Sequence, residues 1–192
     1  MKIKRLKAAV LILIILLFQA GALNASVTIV DGTEFKNTFE TSQTQLHIKG
    51  AGLLRYLLFI EAYAGAFYLP KGSDGSQAFD DIPKHLVLEY RVAISADDFA
   101  QATLDKIKES VAEDVFQRLA PKIESFNRFY KAVDVGDRYG LTYIPGVGTQ
   151  LFLNNKLLGT IKGVEFANAV FAIWLGENPI DKGFRDRLLG NS

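Results

Sequence analysis

The stretch Leu53-Leu-Arg-Tyr-Leu-Leu-Phe-Ile-Glu-Ala-Tyr-Ala-Gly-Ala-Phe-Tyr-Leu69 decides how this chain folds. It is almost wholly apolar. Its aromatics (Tyr56, Phe59, Tyr63, Phe67, Tyr68) and its small residues (Ala62, Ala64, Gly65, Ala66) favour a strand buried on both faces over a helix. The run is longer than an ordinary strand. The small residues around Gly65 therefore predict a bend or bulge that relieves the length. Two charges, Arg55 and Glu61, interrupt the run, and strand alternation puts them on one face with Tyr63 and Phe67. A buried charge is costly unless paired, so two readings of Arg55 stand. It is either a strand-start arginine bridged to an acid with its head in water, or an anion-binding arginine at the mouth of an apolar cleft, with tyrosine hydroxyls alongside.

Upstream of this run, Val27–Val30 alternates as a short strand and Asp31-Gly32 is a hairpin turn signal. Residues 35–39 read as the return strand and 45–48 as another, ended by Gly50-Ala51-Gly52. Downstream, the turn-rich loop 70–76 leads to a strand over 85–94. Ser95 is a helix N-cap with Asp98 three residues on. Helices are predicted over 96–115 and 116–133, the second kinked at Pro121, with Phe126, Phe129 and Tyr130 on its inner face. Strands follow over 138–144, 149–153 and 157–161. A helix over 164–175 stops at Gly176, and Asp181 caps a last short helix ending near Gly190. This order of elements is α+β with a mainly antiparallel sheet.

The N-terminus reads as a targeting signal. Lys2, Lys4, Arg5 and Lys7 precede an apolar run over 8–18, and small residues end in Ala22 and Ala25. The run is about half the roughly 20 residues that a spanning helix needs, so cleavage after Ala22 or Ala25 is expected rather than a stable membrane anchor. Residues 1–25 form the signal and 26–192 a single domain. Of 22 basic and 21 acidic residues the signal removes four basic ones, leaving a mildly acidic mature chain of net charge −3. Such a chain does not invite nucleic acid. The absence of cysteine excludes disulfides, thiol catalysis and cysteine–metal sites.

The two histidines, His47 and His85, read as ordinary surface residues and make a poor metal site. The glycine pairs Gly50/Gly52 and Gly146/Gly148 lack the spacing of a dinucleotide loop. No cofactor is expected.

Four stretches in order resemble one family: Lys49-Gly-Ala-Gly-Leu-Leu-Arg55 leading to Glu61-Ala-Tyr-Ala-Gly-Ala-Phe-Tyr-Leu69; residues 87–99; Gly136-Asp137 with Tyr143-Ile-Pro-Gly-Val-Gly-Thr149; and Gly159 with Gly163-Val-Glu-Phe-Ala-Asn-Ala-Val-Phe-Ala-Ile-Trp-Leu-Gly176. They are similar to the chalcone isomerase-like family, in particular its exported bacterial branch. The resemblance implies an open-faced sandwich, a large antiparallel sheet with helices layered on one face and a cleft between. It also implies either ring closure of a chalcone or, in other members, fatty-acid binding without catalysis. The enzyme's arginine, threonine, tyrosine and asparagine fall on Thr44, Tyr63, Phe99 and Lys106. All four differ, and Phe99 has no hydroxyl to stabilise an oxyanion.

The expectation is therefore a non-catalytic periplasmic protein holding an apolar carboxylate such as a fatty acid. Arg55 would pair with the carboxylate, Tyr63 or Tyr68 would donate a hydroxyl, and Phe99 and Lys106 would complete the cleft. Two other readings are an isomerase or lyase on another small molecule, with Lys106 as its ionisable group, and an envelope interaction module without a small ligand. Export has a direct test. Intact mass of protein recovered from the periplasm should show a chain starting at Leu23 or Ser26, and a mass retaining residues 1–18 would mean an anchor.

Overall fold

The computed structural model describes residues 26–56 and 60–191; the expected signal segment lies outside them. Among these residues, Val27–Val30 (β1) and Thr33–Lys36 (β2) form a separate hairpin. Thr38–Glu40 (β3), Gln45–Tyr56 (β4), Ile60–Pro70 (β5), Lys84–Tyr90 (β6), Arg138–Ile144 (β7), Gly148–Leu153 (β8) and Lys156–Ile161 (β9) lie side by side in that order in one seven-stranded sheet. Every neighbouring pair is antiparallel. The helices are Ala96–Ser110 (α1), Glu113–Asn127 (α2), Val164–Leu175 (α3) and Lys182–Leu189 (α4). The fold is α+β, with the helices packed on one face of the antiparallel sheet.

The long apolar run is two strands, not one. β4 continues through Gly50-Ala51-Gly52 to Tyr56, and β5 returns from Ile60, with Arg55 opposite Glu61. No Gly, Pro, Asn or Asp stands at 57–59 to mark a turn in the sequence, and those residues lie outside the described ones. The irregularities also fall elsewhere than expected. The register shifts between Ile48 and Gly50 and between Leu54 and Arg55, whereas Gly65 pairs regularly with Gly52 and Leu88. What Gly65 supplies is space: a Cβ there would lie 2.8 Å from the Phe184 ring and from Leu88 Cδ2.

Alternation along β5 and β6 feeds two cores. Tyr63, Phe67 and Leu69 join Leu86, Leu88, Phe126, Phe166, Phe171 and Phe184 beneath the helices. Ala64, Ala66 and Tyr68 join Phe35, Leu46 and Leu53 on the opposite face, where the β1–β2 hairpin lies. Charged groups fasten this hairpin. Arg91 bonds both Asp31 and Glu61. Thr33 Oγ1 donates to Glu89 at 2.7 Å, and Arg138 Nη2 donates to the Glu34 carbonyl at 3.0 Å.

Helix ends follow their caps. Ser95 Oγ accepts from the Asp98 N–H at 3.1 Å, and Asp181 Oδ1 from the Phe184 N–H at 2.6 Å. The first two helices break earlier than expected, at Val111-Ala112. The amphipathic pattern runs on across this break, and Ala112 gives α2 no side-chain cap. Pro121 lies inside α2.

His85 is not a surface residue. It is 4% exposed, its Nδ1 lies 2.8 Å from Thr142 Oγ1, and its ring stacks on Phe39 with centroids 3.6 Å apart. The reading from strand parity failed because the back of the sheet is covered too. Burial pulls the imidazole down from 6.5 to about 3.

Two predictions follow from the packing. α4 lies directly on β4, so a Cβ at Gly50 would sit 2.0 Å from the Arg187 carbonyl oxygen. Backbone cannot give way cheaply, and Gly50→Ala should cost about 3 kcal/mol in urea unfolding; an unchanged midpoint would mean α4 is not seated there. His85 stays neutral in the fold while the unfolded chain takes up a proton below 6.5. Its contribution is therefore complete above 6.5 and is lost as pH falls. Stability should drop by about 2 kcal/mol between pH 6.5 and roughly pH 5, and His85→Gln should flatten that limb.

Candidate functional site

A cavity of about 700 Å³ lies between the sheet and α1–α3, within the size range of small-molecule sites. Its floor comes from the strands. Tyr63 of β5, Leu86, Leu88 and Tyr90 of β6, Tyr139 and Leu141 of β7 and Leu151 of β8 point into it. Strand alternation delivers this floor, since 86, 88 and 90 share one face, as do 139 and 141. α1 forms one wall through Asp98, Phe99, Ala102, Thr103 and Lys106, spaced to fall on one side of a helix. Phe126, Tyr130, Ile173 and Trp174 close the rest.

Phe99 is the centre of an aromatic frame. It stacks on Tyr130 at 5.3 Å, and it meets Tyr90 and Tyr139 edge-on at 5.3 and 5.2 Å. Offset and edge-on contacts of this kind hold rings in fixed orientation. Polar atoms are few. Trp174 Nε1 donates to the Tyr63 hydroxyl at 3.0 Å. Thr103 Oγ1 and the Tyr130 hydroxyl are 2.8 Å apart. The Tyr139 hydroxyl donates to the Lys131 carbonyl at 2.7 Å and accepts from the Lys131 N–H at 2.8 Å. Desolvation raises Tyr63, Tyr90 and Tyr130 well above their ordinary 10.0. These hydroxyls are neutral donors at any ordinary pH, not bases.

Charge lies on α1. Among the described residues lining the cavity, Asp98 and Lys106 are the charged ones. Asp98 is exposed and accepts from Ser95 Oγ at 2.7 Å. The Lys106 side chain is 26% exposed and bonds Glu109, itself 52% exposed, at 2.8 Å. The ammonium thus stands between cavity and solvent. No group of three metal-ligating side chains occurs among the described residues, and no helix there is long and apolar enough to cross a membrane.

Of the residues singled out in the sequence, Tyr63, Phe99 and Lys106 meet at this cavity; Arg55 and Tyr68 are not among its lining residues. Arg55 is 52% exposed and pairs with Glu61 at 3.0 Å, as in the first of its two readings. It does not share a strand with Glu61, because the chain reverses between them. Tyr68 lies five residues from Tyr63 and so on the other face, where its hydroxyl donates to the Lys36 carbonyl at 2.8 Å. Sequence reasoning missed Tyr90, Thr103, Tyr139 and Trp174. Tyr90 and Tyr139 had a signal, being the inward aromatics of their own strands. Thr103 and Trp174 had none beyond their helix faces.

The comparisons agree with this architecture. The family model for chalcone isomerase-like proteins matches residues 27–190. Among solved structures, a fatty-acid binding protein of Arabidopsis thaliana superposes with a TM-score of 0.67 at 17% identity, covering 86% of this chain and 97% of its own. No curated protein matches the sequence. The match spans both the back-face hairpin and the helices that enclose the cavity, and the chain belongs to the chalcone isomerase-like family.

Proposed function

We propose that this domain, exported to the periplasm after loss of its signal, binds a small apolar carboxylate such as a fatty acid and catalyses no reaction on it. The observation that carries the reading is the cavity itself. It holds about 700 Å³ walled by leucines, isoleucines and aromatic rings, with a single ammonium, that of Lys106, among its described lining residues. Apolar walls take up the tail through the hydrophobic effect. Lys106 offers the carboxylate a charge-assisted hydrogen bond beside water, where neither group is fully desolvated. The likeness in fold to a fatty-acid binding protein supports the same reading.

Arg55, the carboxylate partner expected from the sequence, gives this role to Lys106, because Arg55 lies outside the residues that line the cavity and Lys106 lies among them. The four plant-type catalytic positions support binding without turnover. Thr44 lies outside the lining residues, Tyr63 is a buried neutral phenol, Phe99 has no hydroxyl and Lys106 is engaged with Glu109.

Delipidated protein should bind a fluorescent fatty acid. Lys106→Ala should weaken binding by about 1.5–3 kcal/mol, the range for a hydrogen bond to a charged group, while Arg55→Ala leaves it unchanged. Failure of the natural protein to bind any fatty acid would defeat the proposal. Loss confined to Arg55→Ala would return the carboxylate to Arg55, outside this cavity.

A further inference from the structure

An alkyl chain asks only for apolar surface, yet the buried side of this cavity offers hydrogen-bond donors. Tyr63 and Tyr90 are directly opposed on β5 and β6, with ring centroids 5.4 Å apart. They are 6% and 3% exposed, and both line the cavity. The Tyr63 oxygen accepts from Trp174 Nε1 at 3.0 Å, and its own proton reaches no acceptor among the described residues. The Tyr90 hydroxyl has no hydrogen-bond partner among them. Thr103 and Tyr130, 2.8 Å apart, use one proton between two oxygens, so one O–H of that pair is also unspent. Tyr139 is the contrast: its hydroxyl both donates to and accepts from the backbone of Lys131.

These hydroxyls open onto the cavity, and an apolar occupant that shut one off from water without an acceptor would cost about 1–3 kcal/mol. Phenylalanine at 63 and 90 would fill nearly the same space without that cost. Several unspent donors around one cavity therefore ask for an acceptor oxygen in whatever occupies it.

Charge decides which kind of oxygen. Tyr63, Tyr90, Tyr130 and Thr103 are all neutral. The charged groups of the lining, Asp98 and Lys106, stand on α1, one exposed and the other partly so. A carboxylate among neutral hydroxyls would lose its hydration with no cation to replace it. A ketone or ester carbonyl carries no such penalty, and two O–H groups match its two lone pairs.

Resting on the function proposed above, we infer that the ligand carries, besides the carboxylate held at Lys106, an uncharged carbonyl further along its chain that accepts hydrogen bonds from Tyr63 and Tyr90. The preferred class is then an oxo-acyl compound rather than a plain saturated fatty acid.

The test is displacement of a bound fluorescent fatty acid from the delipidated mature protein by stearic acid and by oxostearic acids that differ in keto position. At least one isomer should bind about tenfold more tightly than stearic acid, the value of one good buried hydrogen bond. In the double variant Tyr63→Phe, Tyr90→Phe that advantage of the best oxostearic isomer over stearic acid should shrink to about twofold or less. Equal binding of stearic acid and every isomer by the natural protein overturns the inference while leaving fatty-acid binding intact. Equal loss of stearic and oxostearic acid in the variant also overturns it, because the carboxylate would then be the group at the tyrosines. If no acid binds, the proposed function fails, and this inference with it. Should the double variant fold poorly, the isomer preference of the natural protein decides alone.

Discussion

Both faces of the central sheet are covered, and from that the rest of the molecule follows. On the β4–β5 hairpin, side chains alternate between two different interiors, one under the helices and one under the β1–β2 hairpin. A shift of one residue in register would send Tyr63 and Phe67 to the back and bring Ala64, Ala66 and Tyr68 under the helices. The cavity would lose a floor residue, and the back cluster would be overfilled. The register is held by shape, through the close approach of α4 to Gly50 and of Phe184 to Gly65. It is also held by charge, through Arg55 and Arg91 meeting on Glu61, where Arg55 and Glu61 stand opposite each other on either side of the chain reversal. The surface pairs are worth little individually. Their role is to say which residues stand opposite each other.

The same constraint explains what the sequence made legible. Apolar runs, turn residues and caps located nearly every element, including Val164–Leu175, the Asp181 cap and the three strands after Asp137. They did so because each rests on local chemistry. The hairpin reversal was not legible, because 57–59 carry no turn residue and a continuous apolar run reads as one long strand. Arg55 and Glu61 were seen as the notable charges, but their partnership is across strands rather than along one. The burial of His85 was hidden for a related reason. Alternation tells which side a residue takes, and only the tertiary structure tells whether that side is wet.

The site was half legible. Tyr63, Phe99 and Lys106 were reached by likeness to an enzyme's catalytic positions, and they do share one cavity. The residue types at these positions differ from the enzyme's threonine, tyrosine and asparagine. Tyr90 and Tyr139 instead come from strands that the sequence located without singling out any residue for the site. A tyrosine turned into an apolar interior differs from a phenylalanine by one hydroxyl. Whether that hydroxyl is satisfied by the fold is a matter of partners contributed by distant segments, such as Lys131 for Tyr139 or Trp174 for Tyr63.

The placement of polarity bears directly on the proposal of binding without turnover. Acid–base catalysis needs a group whose proton affinity lies near the working pH. Here desolvation moves Tyr63, Tyr90 and Tyr130 in the opposite direction, further from the ionised state. A phenol that cannot ionise still donates a strong hydrogen bond in a low-dielectric site. Phe99, held among three tyrosine rings by stacked and edge-on contacts, contributes no donor of its own. The result is an aromatic chamber whose rings hold one another in orientation, which on the proposed function would keep the ordering cost of binding low. On the function proposed above, such a chamber would select a ligand by where along its chain it carries an oxygen atom.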